Sequence, residues 1–347
     1  MDYQKYIIPN TATIMDALIS LNRLSNDILT LLILDKENRM VGTLTDGDIR
    51  RHLINGSSLT DSVSKVMNTS FQYIFDYKIT VSEIQRFKSL NISLLPCLNG
   101  NNEILRVWNL KKLNSLLPVD AVLMAGGKGE RLRPLTEKTP KPLLKVGDKS
   151  IIDYNIEQMI SYGIENISVT VNYLKEQIQE HFEIEINDVK VKCVEEPAFL
   201  GTLGSIKFVE NLKNDTVLIM NSDLFTNINY EEFYIHFLES NADMSVAAVP
   251  YSVNIPYGIF DLNGKEIQSV KEKPIYNYYA NAGIYLIKRE LIDFIPSNIV
   301  FNATDLMEML ISRGFSVTRY PLMGYWIDIG KPEDYNKAQE FVKHITK

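Results

Sequence analysis

Three glycines, an arginine and a lysine follow a short apolar run in Leu123-Met-Ala-Gly-Gly-Lys-Gly-Glu-Arg-Leu-Arg-Pro-Leu-Thr-Glu-Lys-Thr-Pro-Lys-Pro-Leu-Leu144. Gly126, Gly127 and Gly129 have no Cβ, so their backbone N–H groups can close on phosphate oxygens. Arg131 and Lys141 can then bring charge to a triphosphate. Glycine spacing alone decides little, since a plain strand–turn–helix fits it as well. The loop lacks the Lys-Ser/Thr ending of a Walker A sequence, and Arg131-Leu-Arg-Pro replaces the helix start of a dinucleotide fingerprint. Two aspartates also close apolar runs: Asp223 after Val217–Met220 and Asn221-Ser222, and Asp328 after Tyr325-Trp-Ile. Taken singly, such an Asp is more often a helix cap or turn residue.

These residues need a frame. From Ala121 onward, apolar runs such as AVLMA, NISVTV and TVLIMNSD alternate with amphipathic stretches such as IIDYNIEQMISYG and YEEFYIHFLES. Alternation of this kind predicts a mostly parallel sheet with helices on both faces. Ligands in such folds sit at the carboxyl ends of the strands. Ahead of it, residues 1–117 read as two copies, about 1–68 and 69–117, of a β-α-β-β-α unit sharing one core. Each copy has two β runs around a polar turn, DKENR in one and NGNNE in the other. Leu110–Leu116 reads as the last helix of the second copy, broken by Pro118.

Read whole, the Gly-Gly-x-Gly-x-Arg-Leu-x-Pro-Leu-Thr and Pro-Lys-Pro-Leu elements resemble the signature of the sugar-1-phosphate nucleotidyltransferase superfamily. The resemblance covers Asp120 to about Ala338, within a 120–347 domain. It implies a Rossmann-like (GT-A-like) α/β fold with a mixed, mostly parallel sheet. It implies that Ala125, Gly126, Gly127 and Gly129 wrap the nucleotide, that Arg131 touches the departing pyrophosphate, and that Lys141 stabilises the reacting phosphate. Glu196-Pro-Ala-Phe-Leu-Gly201-Thr202 resembles the loop that contacts the base and closes over the ribose. Asp223 and Asp328 match two carboxylates that the family brings onto one Mg²⁺, an ion that takes few carboxylates beside phosphates. Tyr257-Gly258, Glu272-Lys273-Pro274 and Asn281-Ala-Gly283 resemble sugar-phosphate contacts, although Lys271–Lys273 by itself reads as a solvated charge run.

The segment VGTLTDGDIRRHLINGSSLTDSVSKVMN resembles the end of a CBS domain, so residues 1–117 resemble an α+β CBS-domain pair. In that family a Thr or Ser three residues before an Asp holds an adenine nucleotide, and Thr45 and Asp48 fit. The second copy has Asn109 and Lys112 there, and Lys112 cannot accept from ribose hydroxyls. A dimerisation or scaffolding unit without ligand fits the pair equally. CBS pairs commonly associate, which implies a homo-oligomer, dimer or higher.

The implied reaction is attack of a sugar-1-phosphate oxygen on the α-phosphorus of a nucleoside triphosphate, releasing pyrophosphate. A carboxylate such as Glu196 accepts hydrogen bonds only, which suits the N1–H and N2 amine of guanine better than a pyrimidine. The CBS pair ahead of the transferase resembles guanylyltransferases of bacterial legionaminic-type pathways, which activate glucosamine-1-phosphate. The expected substrates are therefore GTP and glucosamine-1-phosphate, with mannose- or heptose-1-phosphate, or UTP or dTTP, as alternatives. A catalytically silent nucleotide sensor is the rival from another class. Such relatives lose the loop Arg, the Pro-Lys-Pro Lys or a metal Asp, all retained here.

Composition narrows the rest. The chain has 347 residues, 45% hydrophobic, and a net charge of −7, which argues against general nucleic-acid or anionic-membrane binding. Cys97 and Cys193 are too few for a disulfide framework and read as inert core thiols. The four histidines form no spaced metal pair. MDYQKYIIPN lacks a basic-then-apolar order and no apolar run is long enough to span a membrane, so a cytoplasmic protein is expected.

Overall fold

The computed structural model describes residues 3–75 and 79–345. The chain divides into two compact units, Met1–Leu117 with Ser161–Gly163, and Pro118–Ile160 with Ile164–Lys347. Among the described residues no helix is long and apolar enough to cross a membrane.

In the first unit, a three-stranded sheet pairs Ile7–Pro9 parallel to Thr30–Leu34, which runs antiparallel to Met40–Thr45. Its counterpart pairs Ile74–Phe75, Leu94–Leu98 and Ile104–Asn109 in the same senses. Of the expected YIFDYKI strand, Tyr73 and Ile79 are not strand, and Asp76–Lys78 lie outside the described residues. Leu94, Leu98 and Val107 of the second copy join the core built from Ile14, Leu31, Leu32 and Leu44 of the first. Helices Ile14–Arg23, Asp46–Ile54 and Val81–Ser89 each begin with a capping box: Thr13 with Asp16, Thr45 with Asp48, Thr80 with Glu83. Each box satisfies backbone donors at the helix start from both directions.

The helix expected over Leu110–Leu116 does not form; the segment is turn and extended chain. Asn109 turns the chain instead, accepting from Lys111 N–H through its side chain and from Lys112 N–H through its carbonyl. Lys112 cannot reciprocate as an acid would. Under two turns of helix without a cap do not offset the cost of nucleation.

The second unit is built on a seven-stranded sheet. Its strands are β1 (Val119–Met124), β2 (Ile167–Val171), β3 (Lys192–Glu195), β4 (Thr216–Asn221), β6 (Met244–Asn254), β9 (Ile275–Lys288) and β10 (Val317–Pro321). Between them lie β5 (Leu224–Thr226) and the hairpin of β7 (Ile259–Asn263) and β8 (Glu266–Lys271); β11 (Trp326–Asp328) comes last. The sheet order is β3-β2-β1-β4-β9-β6-β10, and only β9 runs antiparallel to its neighbours. β1 is buried along its first five residues, as a strand covered on both faces must be. One face packs Val122, Val217, Ile219 and Ile287 against Leu306 and Leu310 of helix Ala303–Ser312. Helix Ile151–Ser161 buries Ile152, Ile156 and Met159.

After β1 the chain adds β2 and β3 on one side, then returns to place β4 on the other. The loops following β1 and β4 therefore diverge, and a crevice opens between them at the strands' carboxyl ends.

Candidate active site

Both sides of that crevice are made by chemistry-bearing residues. β1 runs into Ala125 and the glycine loop, and Ser222 ties the tip of β4 to that of β1 by donating to the Met124 carbonyl at 2.7 Å. Gly129 has φ +61°, a left-handed conformation that favours glycine. The Thr136 hydroxyl then donates to its carbonyl at 2.8 Å and holds the loop closed. A cavity of about 580 Å³ results, bordered by Ala125, Gly127, Gly129, Arg131, Lys141 and Asp223.

The two aspartates meet through a short antiparallel ladder. Leu224, next to Asp223, pairs with Asp328, and Phe225 and Thr226 pair with Ile327 and Trp326. The Ile329 N–H donates to the Asp223 carbonyl at 3.2 Å. Lys141 is buried and its Nζ donates to Asp223 Oδ2. Asp223 Oδ1 is buried with no hydrogen-bond partner. Burial first, then the charge of Asp223, push the Asp328 carboxyl above its usual pKa, while Lys141 and Arg131 pull it down. Arg131 lies against Gly330, where a Cβ would sit 3.3 Å from its guanidinium. Two carboxylates and two cations thus act on one another: Arg131, Lys141 and Asp223 border the cavity, and Asp328, exposed, does not.

These residues fit Mg²⁺. Hard carboxylate oxygens face a crevice and one of them is orphaned; no group of three or more His, Cys, Asp or Glu that could hold a metal occurs among the described residues. Mg²⁺ usually keeps waters and shares substrate phosphates, so two carboxylates suffice.

The other expected residues are placed differently. Glu196 is not on the cavity wall: its carboxylate lies beneath the loop, and a Cβ on Gly126 would fall 2.3 Å from its Oε1. Its Oε2 has no hydrogen-bond partner. Burial raises its pKa, against the pull of the Thr170 and Ser205 hydroxyls and the Leu200 N–H. Gly201 and Thr202 pack on the start of helix Ala303–Ser312, where Thr202 Oγ1 accepts from the Ala303 N–H at 3.1 Å. Asn281 folds on itself, accepting from Gly283 N–H and donating to the Tyr285 hydroxyl. Asn221 of β4 lies over Gly283, so this segment adjoins the crevice. Gly258 and Glu272 are neighbours, yet with Lys273 they are exposed on the projecting part of β6–β9 and do not border the cavity. Thr45 and Asp48 serve as a helix cap. Cys193 is half-buried with its thiol pushed up to about 11 by burial, which leaves it unreactive near neutral pH.

Several cavity residues were not singled out from the sequence, among them Ser222 and Phe199. Ser222 sat unremarked inside Asn221-Ser-Asp223, and Phe199 presents an aromatic ring inside Glu196-Pro-Ala-Phe. Only the fold shows that either borders the cavity.

Comparison with known proteins agrees with this frame. Residues 120–345 match the family described as nucleotidyl transferase. The chain is 31% identical over 231 residues to the bifunctional protein GlmU of Methanocaldococcus jannaschii, covering 65% of this chain and 54% of that one. It is 30% identical over 223 residues to a mannose-1-phosphate guanyltransferase of Yarrowia lipolytica, covering 62% and 61%. It thus spans a little over half the length of these curated relatives. A Bacillus anthracis structure, assigned as a glucose-1-phosphate thymidylyltransferase with sucrose bound, shares the fold: TM-score 0.50, 22% identity, 65% of this chain and 95% of that one. With the match extending from the first strand of the sheet to the last helix, the chain belongs to the nucleotidyl transferase family.

Proposed function

We propose that this protein transfers a nucleotidyl group to a sugar-1-phosphate, releasing pyrophosphate and forming a nucleotide sugar. The observation that carries this reading is the β5–β11 ladder, which sets Asp223 and Asp328 side by side near Lys141 and Arg131. The glycine loop would donate backbone N–H groups to the triphosphate. Arg131 would neutralise the departing pyrophosphate, and Lys141 would exchange Asp223 for the reacting phosphate. Mg²⁺, held by Asp223 and Asp328, supplies Lewis-acid charge when bound. The nucleophile is already an anion, so positioning and charge stabilisation are enough and no general base is needed.

GTP is the proposed donor and glucosamine-1-phosphate the proposed acceptor. What supports GTP is that one relative is named a mannose-1-phosphate guanyltransferase; Glu196, beneath the loop and off the cavity wall, does not add to that support. Gly258, Glu272, Lys273 and Asn281 would take the sugar phosphate. Residues 1–117 are proposed as a CBS pair with an adenine nucleotide at Thr45 and Asp48, in a cytoplasmic homo-oligomer.

Pyrophosphate release with Mg²⁺, crossing five nucleoside triphosphates against glucosamine-, N-acetylglucosamine-, mannose- and glucose-1-phosphate, tests the reaction. Turnover with GTP and glucosamine-1-phosphate is expected. Turnover with UTP or dTTP but not GTP overturns the guanine assignment. Silence throughout, with nucleotide binding retained, overturns the enzyme and leaves a sensor.

A further inference from the structure

A small core lies behind the charged groups of the crevice. Leu132, Leu144, Phe225 and Ile329 are buried there in one cluster. Leu132 follows Arg131, Leu144 stands three residues past Lys141, Phe225 two past Asp223, and Ile329 directly after Asp328. Each of the four segments that carry charge to the site therefore sends one apolar side chain to a common point. None of these side chains belongs to the core that Val122, Val217 and Leu306 form on the sheet.

Helix Pro332–Ile345 closes this core. Tyr335, Ala338, Gln339 and Val342 recur at the spacing of one helix face, and Ala338 and Val342 are buried in the cluster. Tyr335 donates its hydroxyl to the Lys145 carbonyl at 2.6 Å. Gln339 donates to the same carbonyl at 2.7 Å and accepts from the Gly147 N–H at 3.0 Å. These bonds fix the turn between Lys145–Val146 and Lys149–Ser150, which continues the segment carrying Lys141. A Cβ on Gly147 would fall 2.8 Å from Val342 Cγ1, so turn and helix meet directly. Further along the helix, the Phe341 ring lies 4.6 Å from that of Tyr325, which precedes β11, and 6.2 Å from that of Phe225 in β5. One side chain thus spans the two strands that carry Asp223 and Asp328, at separations where ring pairs attract.

We propose that Phe341 and Gln339 are positioning residues of the active site. From the far side of the small core they set the spacing between Lys141 and the Asp223–Asp328 pair, and neither touches substrate. Gln339 acts on Lys141 through the Lys145–Gly147 turn, and Phe341 acts on the aspartates through Phe225 and Tyr325. Close packing passes a displacement on rather than absorbing it, and a misplacement of about 1 Å in a reacting constellation can cost ~10²-fold in rate. Because this core is separate from that of the sheet, loosening it should disturb the site more than the fold. The kinetic consequence rests on the functional reading; the positioning does not.

The test compares the loss of one ring from each core in the full-length chain. Phe341→Ala should lower kcat at least about tenfold, with KM for both substrates within about threefold. Phe315→Ala removes a partly buried ring from the sheet core, where it pairs with Phe294. It should lower the melting temperature at least as much and leave kcat per folded molecule unchanged. An unchanged kcat in Phe341→Ala, a loss confined to KM, or an equal fall in Phe315→Ala overturns the proposal. Gln339→Ala decides the matter if Phe341→Ala fails to fold: losing its two hydrogen bonds should cut kcat several-fold, and no fall overturns the proposal. Hydrogen exchange reads the positioning without turnover. Amides of 224–226 and 326–329 in Phe341→Ala, and the Ile151 amide bonded to the Leu144 carbonyl in Gln339→Ala, should exchange several-fold faster. Those of Val122 and Ile219 should keep their rates. Equal acceleration throughout, or none, overturns the positioning. That comparison stands even where the unsubstituted protein turns nothing over, so failure of the helix and failure of the enzyme are distinguishable.

Discussion

The opposite ends of β1 and β4 hold carboxylates with opposite circumstances. Near the start of β1, Asp120 is fully buried and accepts from the Lys213 and Asn214 N–H groups and from the side-chain amides of Asn214 and Asn166. Beyond the end of β4, Asp223 has one cationic partner and an oxygen with none. A carboxylate surrounded by donors is a fold element: its hydration has been replaced in full. An orphaned one at a crevice is held ready for something that arrives later. Thr45 and Asp48 share part of Asp120's role, since they form the helix cap that Thr13 and Asp16 repeat.

Substitutions at the two ends should separate chemistry from stability. Asp223→Asn or Lys141→Ala should lower turnover at least about 10²-fold, the typical effect of losing one preorganised charge contact. The melting temperature should change little in Asp223→Asn, and steady-state pyrophosphate release beside a thermal melt reads both. Asp120→Ala should do the reverse. Four donors would be left without their acceptor, costing about 3 kcal/mol, while turnover per folded molecule stays within about twofold. A loss of activity without loss of stability there would break the contrast.

Thr13→Ala and Thr45→Ala should each cost about 1 kcal/mol, as lost N-caps do. Calorimetric titration with AMP or ATP sharpens the pair, for only Thr45→Ala should also lose nucleotide binding. Equal binding in both variants leaves Thr45 a cap and nothing more.

The smallest effect expected is on pH. His181 Nε2 lies 2.7 Å from Asp153 Oδ1, and this bond raises the imidazole pKa above 6.5 against the opposing effect of burial. A group whose pKa rises on folding stabilises the fold below its unfolded pKa. That contribution is lost as pH climbs through the raised folded value. Chemical denaturation across neutral pH should show a slope under about 1 kcal/mol in total, absent in Asp153→Asn.

Much of the second unit was legible. A run such as AVLMA entering a glycine loop can be little but a buried strand meeting a turn, and Asp223 announced itself at a strand tip. The burial of Glu196 under Gly126 was not legible, because a strand's sequence does not say which neighbouring loop the side chain just past its end will lie beneath. The missing helix at Leu110–Leu116 was legible in principle: Lys112 stands where the first copy has Asp48, and the box cannot form. The small core behind the charged groups lies beyond sequence altogether, since Leu132, Leu144, Phe225 and Ile329 come from separate stretches of chain.

The β5–β11 ladder also sets an order in time. Asp223 and its neighbour in the ladder are made about a hundred residues before Asp328, and nothing local can substitute for the missing rung. During synthesis the glycine loop, Lys141 and Asp223 all emerge while the second carboxylate is still unmade. A nascent chain could collapse around β1 and β4 long before it had a complete crevice. The ladder makes the crevice wait for its second carboxylate, so a chain terminated anywhere between the two aspartates would carry the glycine loop, Lys141 and Asp223 without it.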